Sequence, residues 1–282
     1  MKNSKELVFA NAKVNLALHV TGRRGDRYHF LDSLVVFPKI KDKLVIREAS
    51  DFSVSIAGEF SDLVNPEDNS VIKAYDLVKE KLNSNFSIHL EKNIPVGAGL
   101  GGGSADSAAV LRYFQEKHKI EIPKNEIIAQ IGADVPVCLS EKFQRVRGIG
   151  EITEEIHESN FELWMVLVNP GINVSTGEMF QSLEEIENKG LESFKGFKTS
   201  KDFIEYLQRQ RNDLQGVACE KYPVIKCVLN EILETKNNLL ARMTGSGSTC
   251  FGLYSKMEYA LRAQENIRDK FKSWWVQHSR VF

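Results

Sequence analysis

The sequence predicts an α+β protein built as two domains. Apolar residues alternate at strand spacing in some stretches and recur at helical spacing in others along the 282 residues. These stretches follow one another without the regular strand–helix–strand repetition of a doubly wound sheet. A strongly apolar segment, L-W-M-V-L-V-N at 163–169, ends at Pro170-Gly171 and opens a second run of elements. It places a boundary near residue 155, with one domain over 1–155 and another over 156–282.

The elements can be justified in order. Residues 7–20 read as one strand, in which Lys13 and Asn15 share one face and Val14 and Leu16 the other. Residues 33–48 and 52–57 read as further strands. From 69 to 82 the period becomes helical through Val71, Ala74, Tyr75, Val78 and Leu82, behind Asn69 as a cap. A short strand at 86–90 leads to a glycine cluster. Ala105, Ala108, Ala109, Leu111 and Phe114 then mark a helix with Ser104 as its N-cap. A short helix follows near 124–131. The polar stretch 188–200 reads as a mobile surface connection. Helices at 201–210 and 222–235 come next, then strand, tight Gly-Ser-Gly turn and strand over 239–254. A helix at 257–272 and a terminal strand, W-W-V-Q-H, close the chain.

Composition excludes several classes. The 37 basic and 38 acidic residues leave a net charge of −1, so no global bias draws the chain to nucleic acid or anionic membrane. No apolar run approaches the ~20 residues of a membrane span. The start lacks the apolar core of a secretory signal, and the four cysteines are scattered without a C-x-x-C pair. Both fit a reducing cytoplasm. The histidines show no metal-ligand spacing.

The glycine cluster is the sharpest feature. Gly97, Gly99, Gly101, Gly102 and Gly103 fall within P-V-G-A-G-L-G-G-G-S-A-D-S at 95–107. A Walker loop needs a lysine after its last glycine, and none is present. A dinucleotide fingerprint, Gly97-x-Gly99-x-x-Gly102, is matched almost unavoidably by so many glycines, and it wants its first glycine directly after a strand. The physics points instead to a loop ahead of a helix N-terminus, whose backbone N–H groups and dipole cradle polyphosphate. A turn that merely tightens packing is the plainer alternative.

Other residues have two readings each. Lys13, within an apolar strand, either neutralises charge on a transferring phosphoryl group or faces solvent at a sheet edge. Asp134, in G-A-D-V-P-V, is either a helix N-cap or a general base facing a substrate hydroxyl. Tyr28 and His29, closing a polar loop, are either loop anchors or a ring pair that stacks and reads a base.

Taken together these motifs resemble the GHMP kinase superfamily, named for galactokinase, homoserine kinase, mevalonate kinase and phosphomevalonate kinase. The resemblance rests on P-x-x-x-G-L-G-G-G-S from Pro95 to Ser104 and on Thr244-Gly245-Ser246-Gly247-Ser248. It rests further on A-K-V-N-L-A-L, Y-H-F-L-D-S, G-A-D-V-P-V, V-R-G-I-G-E, N-P-G-I-N-V-S-T and R-N-D-L, in the order of one branch of the superfamily. That branch carries Gly before Tyr-His, where this sequence has Arg27.

The resemblance implies an N-terminal, ATP-binding domain like ribosomal protein S5 domain 2 and a ferredoxin-like, substrate-side C-terminal domain. It implies ATP-dependent phosphorylation of a hydroxyl on a small cytidine-diphosphate-linked alcohol, in the supply of isoprenoid precursors. Asp134 would be the base and Lys13 the cation that stabilises transferring charge. Pro95, Val96, Gly97, Ala98, Gly99, Leu100, Gly101, Gly102, Gly103 and Ser104 would hold ATP. Asn15 would contact the substrate, Tyr28 and Phe180 would sandwich the cytosine, and His29 would read its edge. Thr176, Gly245, Ser246 and Gly247 would line the substrate side. Mg²⁺ is implied as the cofactor of ATP, with Ser104 its one candidate protein oxygen. The expected state is a monomer or weak homodimer. The rivals are another kinase of the superfamily with a substrate lacking a base, a non-catalytic nucleotide sensor, and a nicotinamide oxidoreductase.

Overall fold

The computed structural model describes residues 5–25, 28–157 and 161–282. Arg27 lies outside them. Among the described residues, the strands are β1 (Glu6–Asn11), β2 (Val14–Arg23), β3 (His29–Val36), β4 (Lys41–Ala49), β5 (Ser53–Ala57), β6 (Asn85–Glu91), β7 (Gln144–Gly148), β8 (Ile152–Glu155), β9 (Trp164–Asn169), β10 (Leu240–Met243), β11 (Cys250–Tyr254) and β12 (Trp275–Arg280). The helices are α1 (Ser70–Asp76), α2 (Gly102–His118), α3 (Asn125–Ile128), α4 (Val135–Cys138), α5 (Thr176–Gln181), α6 (Ser200–Arg209), α7 (Leu214–Lys221), α8 (Pro223–Leu233) and α9 (Met257–Lys270). None is long and apolar enough to cross a membrane.

The chain forms two compact units. The first comprises the segment ending at Ala12 together with 41–96 and 101–141, and the second comprises 13–40, 97–100 and 142–282. In the first unit, β1, β4, β6 and β5 form a sheet in that order, antiparallel except for the β5–β6 pair. Leu44, Ile46, Ile88 and Leu90 alternate inward from its two central strands and are essentially inaccessible. Helices α1 and α2 pack together, α2 also packs on β1, and α4 packs on α2. Phe86 and Phe114 meet edge to face at 4.9 Å within this core.

The second unit holds two sheets. One has the order β2-β3-β7-β8, antiparallel throughout. The other has the order β10-β11-β9-β12, also antiparallel, with α8 and α9 packed on it. With β9 paired to both β11 and β12, this is the ferredoxin-like arrangement that the family resemblance implies.

Four local expectations need correction. The predicted strand 7–20 is two strands in two different sheets, broken at Ala12-Lys13. The Lys13 N–H donates to the carbonyl of Leu100 (2.8 Å) instead of joining a ladder. The predicted strand 33–48 breaks at 37–40 around Pro38, which has no N–H to donate. Helix α2 begins at Gly102, and its N-cap is Gly101 with φ +63°, not Ser104. The segment 188–200 is tethered at several points instead of running free over the surface. Leu191 and Phe197 are buried, the Leu191 N–H donates to Asp32 Oδ2 (2.9 Å), and Phe194 stacks on Phe197 at 5.0 Å. Three apolar anchors among polar neighbours hold it down.

Candidate active site

In the second unit, Lys13 and Asn15 emerge on one face of the chain, as their spacing predicts. Both are buried, at 4% and 5% exposure. Lys13 Nζ donates to Asn15 Oδ1 (2.9 Å), and Asn15 Nδ2 donates to Ser33 Oγ (2.8 Å). The Asn15 amide oxygen meets one of the three donor hydrogens of this buried ammonium. The Asn15 N–H donates to Thr244 Oγ1 (2.9 Å), and that hydroxyl reaches the carbonyl of Gly99 (3.4 Å). The Thr249 N–H donates to the carbonyl of Ala98 (3.2 Å). So residues 97–100 of the glycine loop, the 244–249 turn and the Lys13–Asn15 pair form one hydrogen-bonded array. Gly99 has φ +74°, and a Cβ there would stand 2.5 Å from the Thr244 oxygen. That close approach answers why no side chain is tolerated at this position.

Thr176 opens α5 behind a Ser175 cap, and its hydroxyl pairs with Ser246 Oγ at 2.8 Å. Two residues the sequence placed on the substrate side are thereby brought together. His29 stacks on Phe180, with ring centroids 5.1 Å apart and 19° between planes. Tyr28 is 56% exposed, with the Arg24 guanidinium 5.5 Å over its ring. His29 is thus a ring in contact with Phe180. Burial, with the nearby Arg23 charge, lowers the His29 pKa and favours the neutral imidazole.

In the first unit, Gly102, Gly103 and Ser104 form the first turn of α2. The first N–H groups of a helix lack partners within it, and no acidic residue occupies this turn. The positive end of the helix dipole favours an anion at this turn. A Cβ on Gly132 would stand 2.8 Å from Ser104 Oγ, so the helix start lies against the segment leading to Asp134. Asp134 occupies the N-cap position of α4, ahead of Pro136. Its carboxylate makes no capping hydrogen bond, so the capping reading loses its physical basis. Among the described residues no group of three or more His, Cys, Asp or Glu side chains is arranged to hold a metal ion.

Residues 69–142 match the family described as GHMP kinases N terminal domain, and residues 183–273 match GHMP kinases C terminal. A 4-diphosphocytidyl-2-C-methyl-D-erythritol kinase of Cereibacter sphaeroides is 38% identical over 275 residues, covering 97% of this chain and 98% of its own. One of Dinoroseobacter shibae is 42% identical over 270 residues, covering 95% and 92%. The chain belongs to the GHMP kinase family. A crystal structure of a 4-(cytidine 5'-diphospho)-2C-methyl-D-erythritol kinase superposes with a TM-score of 0.79 at 29% identity, covering 98% of this chain and 99% of that one. A homoserine kinase from Cytophaga hutchinsonii, at 16% identity and a TM-score of 0.67, shares the fold.

Within this GHMP kinase, several residues that shape the array had no role assigned from the sequence. Asn212 Nδ2 donates to the carbonyls of Met243 (2.8 Å) and Gly245 (2.9 Å), holding the glycine turn from beneath. Asn169 Nδ2 donates to Ser248 Oγ (3.1 Å) and Thr249 Oγ1 (2.9 Å). The buried Arg242 spends its guanidinium on the carbonyls of Leu16, Leu207 and Gln210. Asn212 and Asn169 lie in R-N-D-L and N-P-G-I-N, so a signal was present. What the sequence could not give was their partners, which are 31 to 80 residues away.

Proposed function

We propose that this chain transfers the γ-phosphoryl group of ATP to the 2-hydroxyl of 4-diphosphocytidyl-2-C-methyl-D-erythritol, the compound in its relatives' name, in the non-mevalonate route to isoprenoid precursors. The observation that carries the reading is the hydrogen-bonded array joining Gly99, Thr244, Asn15 and Lys13. It ties a phosphate-type loop to a buried cation and to the turn assigned to the substrate. Pro95 to Ser104 hold ATP, with the loop amides and the start of α2 facing the phosphates. Lys13 balances the negative charge that gathers on the transferring group, and Asn15 fixes its ammonium. Asp134 accepts the hydroxyl proton.

Phosphoryl transfer needs alignment and charge stabilisation more than covalent help, so one base, one cation and oriented amides suffice from the protein. Mg²⁺ supplies further positive charge when bound with ATP. The residues present fit a metal carried mainly by phosphate oxygens, with the Ser104 hydroxyl as the single side-chain oxygen in the first turn of α2. Tyr28 and Phe180 flank the cytosine, and neutral His29 offers one donor and one acceptor to its edge. Thr176, Gly245, Ser246 and Gly247 line the rest of the acceptor site.

The base-stacking assignment has its own test. Losing one aromatic wall costs a stacked base ~1–3 kcal/mol. Phe180→Ala should therefore raise KM for the cytidine acceptor about tenfold and leave KM for ATP near wild type. Equal KM values for the acceptor in wild type and variant would remove Phe180 from that role.

A further inference from the structure

Lys92 follows β6 directly and is one of the most deeply buried side chains of the first unit, at 2% exposure. Its Nζ donates to Asp42 Oδ2 and to Asp106 Oδ2, the latter at 2.7 Å. Asp42 lies on β4 and is fully buried, and Asp106 lies in α2 at 1% exposure. The other oxygen of Asp42 accepts the backbone N–H groups of Asn93 (2.5 Å) and Ile94 (2.8 Å). A Cβ on Gly102 would stand 2.9 Å from Lys92 Nζ and 3.2 Å from Ile94 Cγ2. Asn93 and Ile94 are the residues that enter the glycine loop, while Gly102 and Asp106 belong to the helix that leaves it. Both ends of the loop are thus bound to a single ammonium.

Stability is a poor explanation for this cluster. Burying an ammonium and two carboxylates commonly stabilises less than apolar side chains of the same volume would. The cluster is also incompletely satisfied, because Asp106 Oδ1 has no hydrogen-bond partner. Burial pushes the Asp106 pKa up to about 7 against the attraction of Lys92, and the neighbouring Asp42 adds to the rise. What charged groups at fixed hydrogen-bond distances provide, and apolar packing does not, is a unique relative placement of the segments that carry them.

We propose that Lys92 is a positioning residue for the glycine loop: by bridging Asp42 and Asp106 it closes the mouth of the loop and fixes the helix start that receives the ATP phosphates. Gly102 is then glycine because any side chain would fill the space that the ammonium occupies. The part concerning ATP rests on the function proposed above, whereas the clamp itself is a statement about the loop and is tested without turnover.

The test compares the wild-type chain with Asp106→Asn, which keeps the volume and removes one charge, and with Lys92→Met, a harsher change. Amide hydrogen exchange is followed in peptides covering 93–106, with 164–169 as the control. Exchange across 93–106 should quicken at least ~10-fold in Asp106→Asn while 164–169 is unchanged, because the opening is local. KM for ATP should rise about fivefold or more and KM for the acceptor less than about twofold, since only the phosphate-binding geometry is loosened. A merely structural role would lower stability yet leave the two KM values and the local exchange alone. Should Lys92→Met fail to fold, Asp106→Asn decides the matter. Should wild type turn over no ATP, the proposed function fails and the exchange data alone judge the clamp. Wild-type exchange across 93–106 in a folded Asp106→Asn chain would overturn the proposal.

Discussion

Asp134 heads a helix that it does not cap, since its carboxylate makes no hydrogen bond to the first turn of α4. Asp134→Asn keeps the shape but turns one acceptor oxygen into an amide donor and removes the proton acceptor, so kcat should fall at least ~100-fold, the low end for a positioned base. Steady-state kinetics on a variant with wild-type circular dichroism checks this, and a kcat near wild type would take the base role from Asp134. Lys13 shows the opposite logic. Its burial needs the Asn15 oxygen, and its backbone N–H leaves the strand ladder for the glycine loop. The two residues share a face as the alternation predicts, yet the strand is broken at Lys13, because parity survives a break that pairing partners impose. Lys92 was given no role from the sequence, although the alternation of β6 puts it on the same face as Phe86, Ile88 and Leu90. Its partners there, Asp42 and Asp106, lie 50 and 14 residues away.

At the scale of elements, the 186–192 stretch is fastened to β2 by His19. Its Nε2 accepts the Arg211 N–H (3.2 Å), so Nδ1 carries the proton and donates to the Lys189 carbonyl (3.1 Å). Burial, and then the Arg211 charge, lower the pKa of His19, against Asp213 and the Lys189 carbonyl, which raise it. A histidine depressed in the folded state binds its proton more readily when unfolded. Its contribution is therefore fully present above the unfolded pKa of about 6.5 and is lost as pH falls through the folded value. Urea unfolding between pH 7 and pH 5 should show stability falling more steeply in wild type than in His19→Gln. Parallel pH profiles would contradict it.

The elements that read clearly in the sequence are α8 and α9, whose apolar residues recur with one period and face a single core, and β9, an unbroken apolar run buried on both faces. The hairpin β7–β8 did not, because Q-R-V-R-G and I-T-E-E carry few apolar residues and β8 is exposed along its length. The start of α2 was displaced because the chain turns into the helix at a left-handed Gly101, with no side-chain cap, so Ser104 lies inside the first turn. The substrate side was legible as motifs, but its geometry comes from partners distant in sequence. Thr176 and Ser246 meet across 70 residues.

At the scale of the whole molecule, likeness to the curated relatives runs over nearly the full length of both chains, and the crystal structure that superposes at a TM-score of 0.79 does so equally completely. The net charge of −1 suits an enzyme that takes its anionic substrates by local amides and single cations, not by a global field. The central claim is that this GHMP kinase couples ATP to a cytidine-diphosphate-linked alcohol. The measurement that tests it most directly is ADP release from MgATP with and without 4-diphosphocytidyl-2-C-methyl-D-erythritol, beside mevalonate and homoserine. The account predicts release that depends strongly on the cytidine compound and is absent with the other two. Release driven equally by mevalonate or homoserine, or by none of the three, would contradict it.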